Sequence, residues 1–310
     1  MSNEKGETKR ILDAHCHVFE YLSSFRGEGE IRAIGGGKAR WANGQVVSMM
    51  PPELGDKGFE TETLVKFLKE KGVEKAVLLQ GSFYGFHNEY VAEAMQEYPE
   101  MFLGAGTFDP FARYADEVYE RLTQELGFKV IKFETSTGGG LMSYHDTYDL
   151  FEVFDPIVAK MEKNNQVLVL DIGSPGMTSF QPEAVAKLAS KYPKVHMIIC
   201  HLLAPTLKDE AALRKGLEIL KAENIWFDLA AVPFNVKPEN YPYPTGQKYI
   251  AMAKEIVGAD KLIWGTDVPS VLVHDTYEEL LGFVTESGIF TEEELTGVLY
   301  DNAITAYQWK

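Results

Sequence analysis

Short β-rich runs alternate with longer amphipathic stretches about eight times along this chain, and that alternation restricts the fold more than any single residue does. Parallel strands need a crossover of a dozen or more residues, usually a helix, so a repeated strand–helix unit builds a parallel sheet covered by helices. Expected strands lie at residues 10–14, 75–80, 101–107, 128–133, 166–171, 196–200, 225–229 and 262–266. Val167-Leu168-Val169-Leu170 is apolar on both faces, as a buried parallel strand must be. Helical periodicity covers 62–71, 89–98, 115–126, 148–163, 182–191, 208–222, 247–257 and 277–287. One more helix is expected at Thr291-Glu292-Glu293-Glu294, where Thr291 and Glu294 have capping-box spacing. No composition shift or linker marks a boundary, and 310 residues suit one barrel of about 250 residues plus insertions. The expectation is a single-domain (β/α)8 TIM barrel over residues 1–310, with an extra C-terminal helix.

Two connections are long for a compact domain. Residues 18–59, which include Gly35-Gly36-Gly37, follow the first strand, and residues 230–245, with four prolines, follow the seventh. Both are expected as loops. They leave strand C-termini, where barrel enzymes build their sites, so a functional role stands beside the plainer reading as surface excursions.

The residue balance narrows the partners. With 46 acidic residues against 30 lysines and arginines the net charge is −16, and no basic block occurs. Nucleic acid is therefore excluded as an expected partner, because binding it depends on neutralising phosphates. A carboxylate substrate would need a local basic pocket against that global field. The first ten residues are polar, and nowhere do about 18 apolar residues run together, so neither membrane nor export is expected and the assignment is cytoplasmic. Two cysteines, Cys16 and Cys200, are expected to remain free, since they sit in that compartment and make no zinc site alone.

Chemistry-bearing residues gather at the strand ends. In His15-Cys16-His17 the two imidazoles, two residues apart on a strand, face one side and Cys16 faces the other. The sixth strand ends in Cys200-His201 and the eighth in Gly265-Thr266-Asp267. His201 can move protons near neutral pH, and Asp267 can ligate a metal or act as general base. Alternation in Val130-Ile131-Lys132-Phe133-Glu134 puts Lys132 and Glu134 inside the barrel if Ile131 packs outward. Lys132 then binds a substrate carboxylate or pairs with Glu134. Gly138-Gly139-Gly140 can let backbone amides approach an anion or give a loop freedom. Tyr241 and Tyr243, set among prolines, line a pocket or stiffen their loop.

Asp13-Ala14-His15-Cys16-His17, Cys200-His201-Leu202, Trp264-Gly265-Thr266-Asp267-Val268-Pro269 and the closing Asp301-Asn302-Ala303 resemble the amidohydrolase superfamily. The likeness is to the amidohydrolase-related branch, which includes aminocarboxymuconate-semialdehyde decarboxylase, other aromatic-acid decarboxylases and pyrone-dicarboxylate lactonase, and it covers almost the whole chain. It implies that His15, His17 and Asp267 bind a divalent metal or substrate, that His201 is a ligand or acid/base, and that dimers or larger homo-oligomers are common, and it adds a third reading of Lys132, carbamylated to bridge metals as in the superfamily's binuclear members. The family's strand-five histidine is Asp171 here. Two histidines with Asp171 and Asp267 suit manganese or another oxygen-favouring ion as well as zinc.

Gln80-Gly81-Ser82-Phe83-Tyr84-Gly85-Phe86-His87-Asn88 resembles the strand-two loop of the lactonases, which the resemblance gives as metal-free, with His87 replacing their aspartate. On that match Tyr84 and His87 contact substrate. The plainer reading makes it a glycine-containing loop whose Asn88 caps the next helix. Function is thus expected as hydrolysis of a small ester, lactone or amide. Decarboxylation of an aromatic or unsaturated acid is the alternative, and a ligand-binding barrel without turnover is motivated by the lost strand-five histidine.

Overall fold

The computed structural model describes residues 9–310, so most of the polar leading segment behind the cytoplasmic assignment lies outside the described residues. Twelve strands follow one another: β1 (Leu12–Cys16), β2 (Ser23–Arg26), β3 (Gly29–Gly35), β4 (Lys38–Trp41), β5 (Val46–Ser48), β6 (Lys75–Leu78), β7 (Phe102–Gly106), β8 (Val130–Glu134), β9 (Val167–Asp171), β10 (Met197–Ile199), β11 (Ile225–Asp228) and β12 (Leu262–Ile263). Eight of them pair in parallel in the order β1-β6-β7-β8-β9-β10-β11-β12. Backbone bonds from Ala14 N to Trp264 O (3.2 Å) and from Asp267 N to His15 O (2.8 Å) bring the last strand back against the first. The barrel and its eight-fold alternation are as expected.

Alternation sorts the side chains into two cores. Leu12, Val77, Val130, Val169, Ile198 and Trp226 fill the barrel interior, while Ile131, Leu168, Leu170, Met197 and Phe227 face the surrounding helices. Ile131 therefore packs outward and Lys132 inward. The C-terminal segment adds Tyr300, Ala303 and Tyr307 to the interior core. His196, just ahead of β10, reaches Ala306 O there, so this segment closes the barrel end away from the strand C-termini. Thr291 forms its capping box with Glu294, and a second box joins Thr276 and Glu279. Among the described residues no helix is long and apolar enough to cross a membrane, and both cysteines are free.

Residues 18–59 are not a loop. They form an antiparallel sheet in the order β2-β3-β4-β5, with Ile31 opposite Trp41 and Ala33 opposite Ala39. The cause is a period-2 pattern: Ile31, Ala33 and Ala39 are buried while Glu30, Arg32, Lys38 and Arg40 face out. Gly36 and Gly37 carry the β3–β4 turn at φ of 61° and 66°, where a Cβ would be strained. Reciprocal bonds between Phe19 and Phe59 (3.0 and 2.8 Å) pin the base of the insert. Ser24 Oγ bonds Ser82 O, and Gly27 N donates to Ser143 Oγ at 3.1 Å, so the sheet lies across the loops after β6 and β8.

The segment after β11 contains the short helix Val232–Asn235 and then runs to Pro244. Its two tyrosines stiffen it: Tyr243 donates to Asp275 (2.6 Å) and Tyr241 to Glu286 (2.6 Å), and neither lines the main cavity.

Candidate active site

A cavity of about 440 Å³ opens at the C-terminal ends of the barrel strands beneath the inserted sheet. His15, His17, Lys132, Glu134, Asp171, His201, Asp267 and Tyr84 all line it. Eight residues singled out in the sequence on different strands are thus brought to one volume, within the size range of small-molecule sites.

The histidines are oriented from behind. His15 Nδ1 lies 3.1 Å from Asp228 Oδ2, His17 Nδ1 lies 2.9 Å from Leu79 O, and His201 Nδ1 lies 3.1 Å from Ala230 O. Each of these oxygens can only accept, so each Nδ1 carries a proton and donates it. In a neutral ring that leaves Nε2 as a lone pair, the form in which imidazole ligates a metal or accepts a proton, and a ring protonated at Nε2 as well donates from it. His15 and His201 stack with ring centres 4.7 Å apart.

Asp267 meets two of those Nε2 atoms. Its Oδ1 is 2.8 Å from His17 Nε2 and 3.6 Å from His15 Nε2. The residue sits at φ 77°, a conformation uncommon outside glycine, and its N–H is tied to His15 O. Thr266 beside it donates both N–H and Oγ–H to Asp13, at 2.9 and 2.7 Å. Asp13 thereby clamps the first strand to the eighth, and burial, opposed by Thr266 and His15, pushes its carboxyl up to about 6.

Burial works differently on each group. It drives His15 well below its ordinary value, with Lys132 and His201 adding to the effect. It also lowers His17 against the pull of Asp267. Burial alone would raise Asp267, but the hydrogen bond from His17 and the nearby His15 and His201 hold it well below the carboxylate range. His201 is depressed by burial, yet Asp267, Asp228 and Asp171 outweigh this and leave it above its ordinary value.

These directions bear on metal binding. His17 Nε2 and an Asp267 oxygen face each other at 2.8 Å, a contact that needs a proton or a cation between them, and His15 Nε2 is buried without a hydrogen-bond partner. A divalent cation can take the place of that proton. His15, His17 and Asp267, whose ligand atoms all lie within 4.8 Å of one another, fit a divalent ion with open positions. Asp171 lies apart from that group: one of its oxygens accepts Gly173 N–H at 2.8 Å.

Lys132 is held above its ordinary value, because Cys200, Glu134, Asp171 and Asp267 outweigh the burial that lowers it. Of its alternative readings, the ion pair with Glu134 does not form; Glu134 instead accepts Ser82 N–H and Oγ–H at 2.7 and 2.9 Å. Tyr84 packs between Phe19 and His17. His87 is not among the lining residues; its ring bonds Tyr84 O (2.9 Å) and shapes the loop from behind. Asn88 does not cap its helix, because its side chain ties the loops after β6 and β7 through Gln80 and Thr107.

The sequence reading passed over two residues. Asp228 anchors His15 and accepts His201 N–H (2.8 Å) and Ala230 N–H (3.1 Å) from one buried carboxylate. Its signal was available, since Trp226-Phe227-Asp228 alternates as Val169-Leu170-Asp171 does. Arg26, on β2, also lines the cavity, and nothing local in the sequence marks it.

His201 itself stands on unusual backbone. His201, Leu202, Leu203 and Ala204 have φ of 59°, 51°, 66° and 46°, a left-handed turn that costs about 1–2 kcal/mol per residue. The bond from Asp228 to His201 N–H helps hold the turn in place.

A family model described as Amidohydrolase matches residues 12–309. No curated protein matches the sequence. Among solved structures, a probable 2-pyrone-4,6-dicarboxylic acid hydrolase from Acinetobacter baumannii, with citric acid bound, aligns at TM-score 0.68 and 18% identity over 97% of this chain and 100% of that one. An amidohydrolase from Burkholderia multivorans with bound zinc aligns at 0.70 and 15%, over 96% and 99%. 5-Carboxyvanillate decarboxylase from Sphingomonas paucimobilis aligns at 0.56 and 14%, over 79% and 82%. At these identities the structural likeness carries the fold alone.

Proposed function

The chain belongs to the amidohydrolase family, and from that premise we propose that it is a hydrolase of a small ester, lactone or amide, with Asp267 as its general base. The observation that carries this reading is the Asp267 carboxylate, kept ionised and set against the Nε2 atoms of His17 and His15 at 2.8 and 3.6 Å. A water beside Asp267 gives up its proton to that carboxylate as it attacks the carbonyl carbon. Lys132, kept protonated at the floor, can donate to the oxygen that gains charge, and a fixed donor there is worth most where water is excluded. His201, raised above its ordinary value, is the proton donor to the leaving group.

A carboxylate held as low as Asp267 is a weak base for ordinary water. A divalent ion on His15, His17 and Asp267, zinc or manganese, would supply the Lewis acidity that compensates. Asp171 is assigned to substrate or water across the cavity, because Gly173 already engages it.

The test is a screen of lactones, esters and amides, with metal content measured by elemental analysis on protein purified without chelators. Turnover lost by about 10²-fold or more in Asp267→Asn, with the fold intact, is the expected result. Full activity in that variant would remove Asp267 from the mechanism.

A second reading has one observation in its favour. His201, which lines the cavity and is held above its ordinary value, can equally give a proton to a carbon that loses carbon dioxide. Release of carbon dioxide from hydroxylated aromatic acids, with no hydrolysis of any carbonyl substrate, would select it. Binding without any turnover would leave the barrel as a ligand-binding module.

A further inference from the structure

Arg26 ends β2 on the inserted sheet and lines the same cavity as the histidine cluster. Its surroundings hold the guanidinium in place without neutralising it. Trp41 and Phe83 have ring centres 5.8 and 5.6 Å from its central carbon, and Nη2 donates to Gly138 O at 2.8 Å. Nε is buried with no hydrogen-bond partner, and among the described residues no carboxylate pairs with Arg26. Acids outnumber lysines and arginines 46 to 30 in this chain, so an arginine left without an acidic partner runs against its composition. A buried guanidinium N–H without an acceptor is unfavourable until something accepts its proton.

A second observation points the same way. The Gly138-Gly139-Gly140 segment, open in the sequence to more than one reading, is a slot for this side chain. A Cβ placed at Gly139 would collide with the Arg26 guanidinium, and one at Gly140 would collide with the backbone of Glu134. The loop after β8 is thus shaped so that a cation from a distant part of the chain can lie across it.

We propose that Arg26 is the carboxylate anchor of the cavity. The substrate is a small carboxylic acid whose carboxylate takes Nε–H and a neighbouring guanidinium N–H from the roof, while its reacting carbonyl lies at Asp267 below. This assignment rests on reading the cavity as a hydrolytic site. The planar fork of arginine matches a carboxylate in two bonds, which a point charge cannot do. Lys132 is less suited to the task, because Glu134, Asp171 and Asp267 already surround it. In a chain of net charge −16, an anionic substrate needs such a local cation to enter.

Isothermal titration calorimetry with benzoate, isophthalate and tricarballylate, each set against its primary amide, tests the anchor without requiring turnover. At least one acid is expected to bind the wild type about tenfold or more tightly than its amide. Arg26→Met and Gly139→Ala lose that preference, Arg26→Lys keeps part of it, and Asp267→Asn keeps it. Should Arg26→Met fail to fold by circular dichroism, Gly139→Ala and Arg26→Lys carry the comparison. The anchor is overturned if no acid is preferred by the wild type, or if the preference persists in folded Arg26→Met and Gly139→Ala proteins. An Arg26-dependent preference in a protein that hydrolyses no carbonyl substrate keeps the anchor and ends the hydrolytic reading. Hydrolysis of acid substrates undiminished by Arg26→Met does the reverse.

Discussion

The cavity has two unlike walls. Its floor is built by strand ends, where His15, His17, His201 and Asp267 are fixed by backbone carbonyls and by the buried carboxylate of Asp228. Its roof is a small antiparallel sheet inserted after the first strand, which contributes Arg26 and Ser48 and touches the barrel through the loops after β6 and β8. On the floor each ring nitrogen's role follows from a fixed acceptor behind it, which suits chemistry. On the roof an arginine is fixed by aromatic rings and a glycine slot and has no acidic partner, which suits recognition.

If that division holds, floor substitutions act on turnover and roof substitutions on binding. The largest effect belongs to Asp267→Asn, with kcat/KM falling about 10²- to 10⁴-fold while the acid preference in calorimetry survives. A parallel loss of binding would erase the distinction between the walls.

Asp228→Asn comes next. The amide keeps an oxygen for His201 N–H but turns an N–H toward His15 Nδ1, forcing His15 into the other tautomer and removing its Nε2 lone pair. Activity and metal affinity should fall about 10- to 100-fold with little change in the far-ultraviolet spectrum. Measuring both across a metal titration checks this, and unchanged affinity would show that Asp228 serves the fold alone.

Smaller effects come from outside both walls. Thr276→Ala breaks the capping box on the helix Tyr277–Thr285 and should cost about 1 kcal/mol in denaturant unfolding, leaving kcat and binding as they were. The smallest is a pH effect. Lys254 holds the Glu294 carboxyl below its ordinary value, so their pairing stabilises the protein above the usual carboxylate pKa and is lost as pH falls through the lowered one. Lys254→Met should therefore lower the melting temperature slightly near neutrality and leave it unchanged below the lowered carboxylate pKa, flattening the acid side of the profile.

Much of the floor was legible before the fold was known, because each of its residues follows an apolar run of a parallel strand. His15, His17, His201, Asp171, Lys132 and Asp267 were all found that way. Asp228 carries the same signal, but no histidine stands beside it in the sequence to mark its strand end. His87 and Asn88 were misplaced for the opposite reason: a short motif gives a loop's composition but not which side chains turn inward. The inserted sheet is hard to tell from a loop in the sequence because its strands are short and its buried residues few, with Ile31, Ala33 and Ala39 supplying the pattern.

What the sequence determined by itself is the period: eight alternations of strand and helix, and with them a barrel whose strand ends must gather in one place. Local periodicity suffices for this because side-chain direction on a strand is set by position alone. What only the tertiary structure decided are the contacts between residues far apart in the chain. Asp228 orients His15 across 213 positions, and Arg26 reaches Gly138 across 112. No local pattern encodes such a meeting, since it depends on how the whole barrel closes and on where an inserted sheet comes to rest.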